Sequence, residues 1–522
     1  MTGSRRSPDS RLRPRPFPVF TEPLGSGRSL PDSGLPSWGV CVALAAAVRG
    51  VAALIVPVLP EESYHWLYAK HLDFGYYDHP PMIAWLIALG TAVFGDVPFG
   101  IRLLPWLCSI GTSIAAAWTA RELYGEKAAS WTALLLAIQP TTFMASSFGF
   151  PDAPLLLFWT LTLASGVRAL GSRGGRWWLV AGACYGAALL SKYTAIFLGL
   201  SLLLYLLAAP RHRYWLRTPW PYLGALTALI VFSPVLIWNA THDWASLRFQ
   251  SVGRLEEGGG ARWTSGPAYL LLQGACVLPL ALPAVVAAVG GALRSRSLEQ
   301  RYLLSFSLPL LLFFLGVGVF RSTHAFWPLP AWIALTILSA DFLSREDGRI
   351  ARFYRTSWRE MTAIFIVAAG LGLAHSVRPL PGLTSIRSLN GWARISERAA
   401  SLRSGLGADS FYLGVGKRYL CPSQLAFHLH APRDVHSKNL LGAEGLQFTY
   451  WADVRALAGR DAVIVGEAEW STGLDSLLRR HFRSVEEIGA PLVVGGSSLY
   501  KGLREERYRF YVGHEYRPGG QP

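Results

Sequence analysis

The sequence predicts an all-α polytopic membrane bundle of about eleven transmembrane helices plus an interfacial helix, followed by a C-terminal α/β domain outside the membrane. Three observations predict it. Of the 522 residues, 51% are hydrophobic and 16% charged, against about a quarter charged in ordinary soluble domains. Apolar stretches recur at close to the ~20 residues that cross a bilayer. After Val377 these stretches stop, and short β-rich runs alternate with helical patterns.

The expected spans are 38–59, 101–120, 128–146, 153–170, 177–190, 193–208, 218–238, 267–293, 302–320, 327–342 and 360–376. Segment 82–94 is short for a crossing and is expected at the interface. Basic residues fix the orientation, because they accumulate in cytoplasmic loops. With the N-terminus inside, the inner side receives twenty-one Lys and Arg against six in the outer loops. This asymmetry accounts for most of the net charge of +16 without a nucleic-acid partner. Residues 1–35, rich in Arg, Ser, Pro and Gly, read as a disordered cytoplasmic tail; 36–377 form the membrane domain, and 378–522 the outer domain. No cleavage site follows the first apolar run, so a signal peptide is not expected. Five cysteines, four of them in apolar segments, give neither a disulfide framework nor a metal spacing. No glycine-rich phosphate loop opens a helix of the outer domain.

This topology gathers polar residues on the outer side. The stretch 61–81, EESYHWLYAKHLDFGYYDHPP, reads as an outer loop carrying Glu61, Glu62, Asp73, Asp78 and His79. Asp152 opens the fourth span, Lys192 lies in a tight turn, His242 and Asp243 follow the seventh span, and His324 precedes the tenth. Ionisable groups at membrane depth are costly and face a cavity or a partner, so an outward-open polar cavity is expected. Each residue also has a plainer role: Asp152 as a helix cap, Lys192 snorkelling to headgroups, and the rings of 64–77 as an aromatic belt. Arg49, in mid-span, is expected to pair with an acid or a phosphate.

The stretch from Glu61 to Pro105, with PDAPLLLFW at 151–159, LLSKYTAIFLG at 189–199, SPVLIWNATHDWASLRFQ at 233–250 and FWPLPAW at 326–332, resembles the GT-C superfamily. These are integral-membrane glycosyltransferases that use polyprenyl-phosphate sugars, among them protein O-mannosyltransferases and the aminoarabinose transferase of lipid A. KRYLCPSQLAFHL at 417–429 and RFYVGHEYR at 509–517 resemble the tail of bacterial members.

The resemblance implies an inverting transfer from a lipid-phosphate sugar to a cell-envelope acceptor on the outer face, with a carboxylate as general base. The family's acidic pair falls on Glu61 and Glu62; because the first position is commonly Asp, Glu62 is the expected base. Asp78 and His79 are expected at the donor phosphate, with Asp78 the candidate ligand should a divalent ion be used. Lys192 is expected to hold the lipid phosphate, Asp152 to shape the pocket, and His242, Asp243 and His324 to line it. The arginine-rich composition fits a GC-rich bacterial genome and hence a plasma-membrane location. A flippase of lipid-linked sugars and a non-catalytic assembly protein remain the alternatives.

Overall fold

A computed structural model of the chain describes residues 34–171, 174–253, 269, 273–274, 281–320, 326–377, 391–468, 473–494 and 506–519. The tail expected at 1–35 lies almost wholly outside these residues, and His324 lies outside them too.

The membrane part begins with α1 (Trp38–Ile55), α2 (Pro60–Lys70), α3 (Met82–Phe94), α4 (Pro98–Tyr124), α5 (Glu126–Ala137) and α6 (Pro140–Ser147). It continues through α7 (Asp152–Leu170), α8 (Gly175–Ser191), α9 (Ile196–Ala208) and α10 (Trp220–Thr241). Helices Leu282–Arg294, Leu298–Ser305, Leu308–Phe320, Leu329–Arg345 and Arg349–Val377 complete it. Among the described residues six helical segments are long and apolar enough to cross a membrane: Trp38–Ile55, Pro98–Tyr124, Asp152–Leu170, Trp220–Thr241, Leu298–Gly318 and Arg349–Val377. Large apolar side chains such as Leu44, Leu54, Ile230, Ile364 and Val367 point outward. Exposed apolar surface on this scale marks an interaction face, here a lipid one, and the chain is a multi-pass membrane protein.

Local chemistry explains where the helices depart from the expected spans. The span expected at 128–146 breaks at Gln139, because Pro140 has no N–H to continue the ladder and instead opens α6. The stretch expected as a loop from residue 60 is helical over its first half. Pro60 sits at the first helical position, and Glu61 and Glu62 fill the first turn, where carboxylates complement the helix dipole. Between α8 and α10 the backbones touch at glycines: a Cβ on Gly182 would collide with the Gly224 carbonyl, and one on Gly186 with the Ala228 carbonyl. Small residues are what let helices approach this closely in a membrane.

Residues after 390 build a six-stranded sheet from β1 (Phe411–Val415), β2 (Val435–Ser437), β3 (Ala462–Glu467), β4 (Phe482–Glu487), β5 (Leu492–Val494) and β6 (Glu506–Tyr516). Strand order is β2-β1-β3-β6-β4, with β5 also on β6; β1 runs parallel to β2 and β3, and β6 antiparallel to its neighbours. Helix Leu420–His428 of this domain lies on α2. Trp66 meets Phe427 edge-on at 5.2 Å, and one apolar cluster joins Tyr64, Trp66, Leu67 and Tyr68 to Leu425, Ala426, Val463 and Phe510. The rings of Tyr64, Trp66, Tyr68 and Tyr76 are therefore fully buried beneath the sheet domain, not spread as an interfacial belt.

Gly182→Val should wedge α8 from α10. Overpacking of this kind costs roughly 1–3 kcal/mol, so detergent-purified variant should lose its monodisperse chromatographic peak at a lower temperature than the parent. An unchanged melting profile would mean the glycine contact is dispensable.

Candidate active site

The acidic pair at the start of α2 divides, because neighbouring residues on an α-helix point about 100° apart. Glu62 turns inward and is fully buried against an equally buried Arg102 of α4. Arg102 Nε donates to Glu62 Oε1 at 2.7 Å and Nη2 to Oε2 at 2.5 Å. The backbone N–H of Gly149 donates to Oε1 at 2.7 Å and that of Leu59 to Oε2 at 2.9 Å. The same guanidinium donates to the carbonyls of Ala53, Val56 and Pro57, at 3.2, 2.5 and 2.9 Å, and lies over the ring of Phe148. Glu62, the expected base, is thus engaged on both oxygens by four fixed donors. Among the described residues Arg49 finds no acid: it donates to the Leu136 carbonyl at 2.9 Å and to Ser113 at 3.4 Å.

Glu61 faces the other way, enclosed by protein yet with part of its surface open. Burial raises its carboxyl, and the charge of Asp152 raises it further; Lys192 pulls it down, and Asp78 and Glu62 push it up, for a result of about 7. Opposite it, Lys192 Nζ donates to both oxygens of Asp152, at 2.9 and 3.1 Å. Asp152 occupies the first turn of α7 without a side-chain capping bond, and Lys192 ends α8 in extended backbone. Helix capping and lipid snorkelling therefore give way to a half-sheltered ion pair between two helix ends.

Asp78 is buried and accepts from the Tyr64 hydroxyl at 3.2 Å and from the Tyr68 hydroxyl, while its own carbonyl accepts from Gln250 at 2.7 Å. The His79 ring stands perpendicular to that of His65, centroids 5.4 Å apart. His65 donates from Nδ1 to the Gly149 carbonyl at 2.9 Å, and burial lowers its pKa to about 4, so the ring is neutral at physiological pH. One residue, Gly149, thereby ties Glu62 through its N–H and His65 through its carbonyl, three residues before Asp152. His242 stacks on Trp238 at 4.1 Å, and Asp243 is exposed with a left-handed φ of 51°. Trp238 donates to Asp73 at 2.9 Å. Among the described residues no three His, Cys, Asp or Glu side chains converge as a metal site. Asp78, the expected ligand, has one oxygen engaged by two tyrosines, so the donor set does not fit a metal and no step is routed through one.

Residues 78–238 match the dolichyl-phosphate-mannose-protein mannosyltransferase family. The lipid A galacturonosyltransferase RgtD of Rhizobium johnstonii is 28% identical over 352 residues, 67% of this chain and 73% of the relative. The undecaprenyl phosphate-alpha-4-amino-4-deoxy-L-arabinose arabinosyl transferase of Pseudomonas aeruginosa UCBPP-PA14 is 31% identical over 180 residues, 33% of this chain and 31% of the relative. ArnT from Cupriavidus metallidurans, solved bound to undecaprenyl phosphate, shares the fold with a TM-score of 0.65 at 18% identity, over 91% of this chain and 97% of that one. The chain thus has the fold of ArnT, with a glycosyltransferase family match across residues 78–238.

Within this fold the structure brings Glu61, Asp78, Asp152 and Lys192 into one electrostatic neighbourhood and sets Glu62 behind it. Sequence reasoning missed Arg102, His65 and Gly149. For Arg102 a signal existed: an arginine inside an apolar span calls for a partner as much as Arg49 does.

Removing one member of a buried ion pair costs about 3–5 kcal/mol. Glu62→Gln and Arg102→Met should each lower thermal stability sharply, while the double variant recovers part of the loss. A Glu62→Gln protein of parental stability but without turnover would instead make Glu62 a catalytic group.

Proposed function

We propose that the protein moves a sugar from a polyprenyl-phosphate carrier to an envelope lipid, with inversion at the anomeric carbon and with Glu61 as general base. One observation carries this reading: a half-open carboxyl poised near 7 shares its surroundings with the Lys192–Asp152 pair. A base needs a pKa near the working pH, and a departing phosphate needs a fixed cation. The acceptor hydroxyl attacks the anomeric carbon from the face opposite the phosphate. Its O–C bond forms as the C–O bond to phosphate breaks, Glu61 takes the hydroxyl proton, and Lys192 balances the charge left on the lipid phosphate. Asp78 and His79 line the donor side, with His242 and Asp243 at the rim.

In this reading the eleven crossings expected from the sequence, with the N-terminus in the cytoplasm, put the chemistry on the outer face of a bacterial plasma membrane. Two features support that orientation: the twenty-one to six division of basic residues and the docking of the C-terminal sheet domain on α2, which puts both on one side of the membrane. The acceptor class follows from the relatives, a lipid A galacturonosyltransferase among them.

The test is transfer by purified protein in vesicles, offering radiolabelled undecaprenyl-phosphate 4-amino-4-deoxy-L-arabinose or polyprenyl-phosphate galacturonate with lipid A. Glu61→Gln should lower kcat at least a hundredfold, about the least expected on losing a general base, at parental thermal stability. Label that crosses the membrane without reaching lipid A would point to a flippase.

The pH dependence carries a sign. A carboxyl at about 7 is protonated below that pH and idle as a base, so kcat should climb between about pH 6 and 8. Lys192→Met removes the charge that pulls Glu61 down. It should move this limb to higher pH and cost roughly a hundredfold in kcat/KM. A limb that stays in place would separate Lys192 from Glu61.

A further inference from the structure

The outer domain does more than cover α2: two of its buried glutamines grip the backbone at both ends of the acidic segment. Gln424 donates from Nε2 to the Val58 carbonyl, ahead of α2, at 3.0 Å. Gln447 accepts, on Oε1, the N–H of Tyr77 at 2.6 Å, one residue before Asp78. Both glutamines are at most 2% exposed, so these bonds form away from water, where an unmade one is costly.

Gln447 also reaches Asp78 by a second route. Its backbone N–H donates to the Tyr64 hydroxyl at 3.1 Å, and that hydroxyl donates onward to Asp78 Oδ1 at 3.2 Å. The Tyr64 ring is clamped flat against Tyr419 of the outer domain, centroids 4.0 Å apart and planes 2° from parallel. The preceding residue, Leu446, is held with a left-handed φ of 51°. A branched, buried leucine adopts that conformation only when its surroundings impose it. The next backbone N–H, that of Gln447, is the one that meets Tyr64.

We propose that Gln447 is a positioning residue of the transferase: through Tyr77 and Tyr64 the outer domain fixes where the Asp78 carboxylate stands beside Glu61. The proposal rests on the site described above. It makes the sheet domain part of the catalytic geometry, and it explains why the chain spends strain and two buried amides on a docking contact. The charged groups around Glu61 are Asp152 at the start of α7, Lys192 at the end of α8, Asp78 and Glu62. Of these, Asp78 is the one whose position the outer domain sets. Tyr68 also holds Asp78, so losing Gln447 should displace the carboxylate, not release it.

The test uses the full-length protein in the transfer assay above, with Gln447→Leu, Tyr64→Phe and Asp78→Asn alone and in pairs. Small misplacements in an active site cost up to about a hundredfold. Gln447→Leu should lower kcat/KM roughly tenfold and move the acid limb of kcat to lower pH, as Asp78→Asn does, because less negative charge then raises Glu61. In the Asp78→Asn background, Gln447→Leu should have no further effect, and Gln447→Glu, which keeps the acceptor oxygen, should recover part of the activity. Tyr64→Phe keeps the ring on Tyr419 and removes only the relay oxygen, so it reads the same link if Gln447→Leu accumulates poorly. If Gln447→Leu and Tyr64→Phe leave both the rate and the limb unchanged while Asp78→Asn reduces transfer, the positioning role is overturned and the site stands. If Asp78→Asn is itself silent, site and relay fall together.

Discussion

The guanidinium of Arg102 is the bolt that joins four segments at one end of the bundle. It takes both oxygens of Glu62 and carbonyls in and just after the last turn of α1, so that one cation joins the end of α1, the start of α2, the body of α4 and, through Gly149, the loop entering α7. Such a cluster is costly to assemble, because two ions leave water. It is also costly to break, since whichever charge remains has no replacement partner. Its return is geometric precision more than net stability.

Precision at Glu62 decides what Glu61 can do. With one acid of the first turn locked to Arg102, helix geometry swings its neighbour by about 100° toward Asp152 and Lys192. The two carboxylates, adjacent in sequence, then meet opposite environments. Glu62 is surrounded by donors, whereas Glu61 is desolvated among other acids with one lysine nearby, which raises it to about 7. In the proposed mechanism environment, not residue type, sorts one into architecture and the other into chemistry.

The helical part of the fold was legible because hydropathy and basic-residue bias are written locally. Expected spans such as 153–170 and 218–238 coincide closely with Asp152–Leu170 and Trp220–Thr241. Three things were not legible. The division of labour between Glu61 and Glu62 depends on a partner forty residues away and on the phase of a helix that looked like a loop. The aromatic residues of 64–76 carry the composition of an interfacial belt, and only a domain arriving more than 300 residues later buries them. Gln447 has no local signature: a glutamine near a short turn becomes meaningful once Tyr64 and Tyr77 lie against it. Local pattern reports which residues are able to act; long-range packing decides which of them do.

The central claim is that Glu61 is a carboxyl that titrates near neutrality. Infrared difference spectroscopy of the purified protein, stepped across neutral pH, observes protonated carboxyl groups directly and needs no substrate. A carboxylic acid band that fades near pH 7, disappears in Glu61→Gln and persists in Glu62→Gln is the predicted result. A band that survives in Glu61→Gln and vanishes in Glu62→Gln would contradict the account.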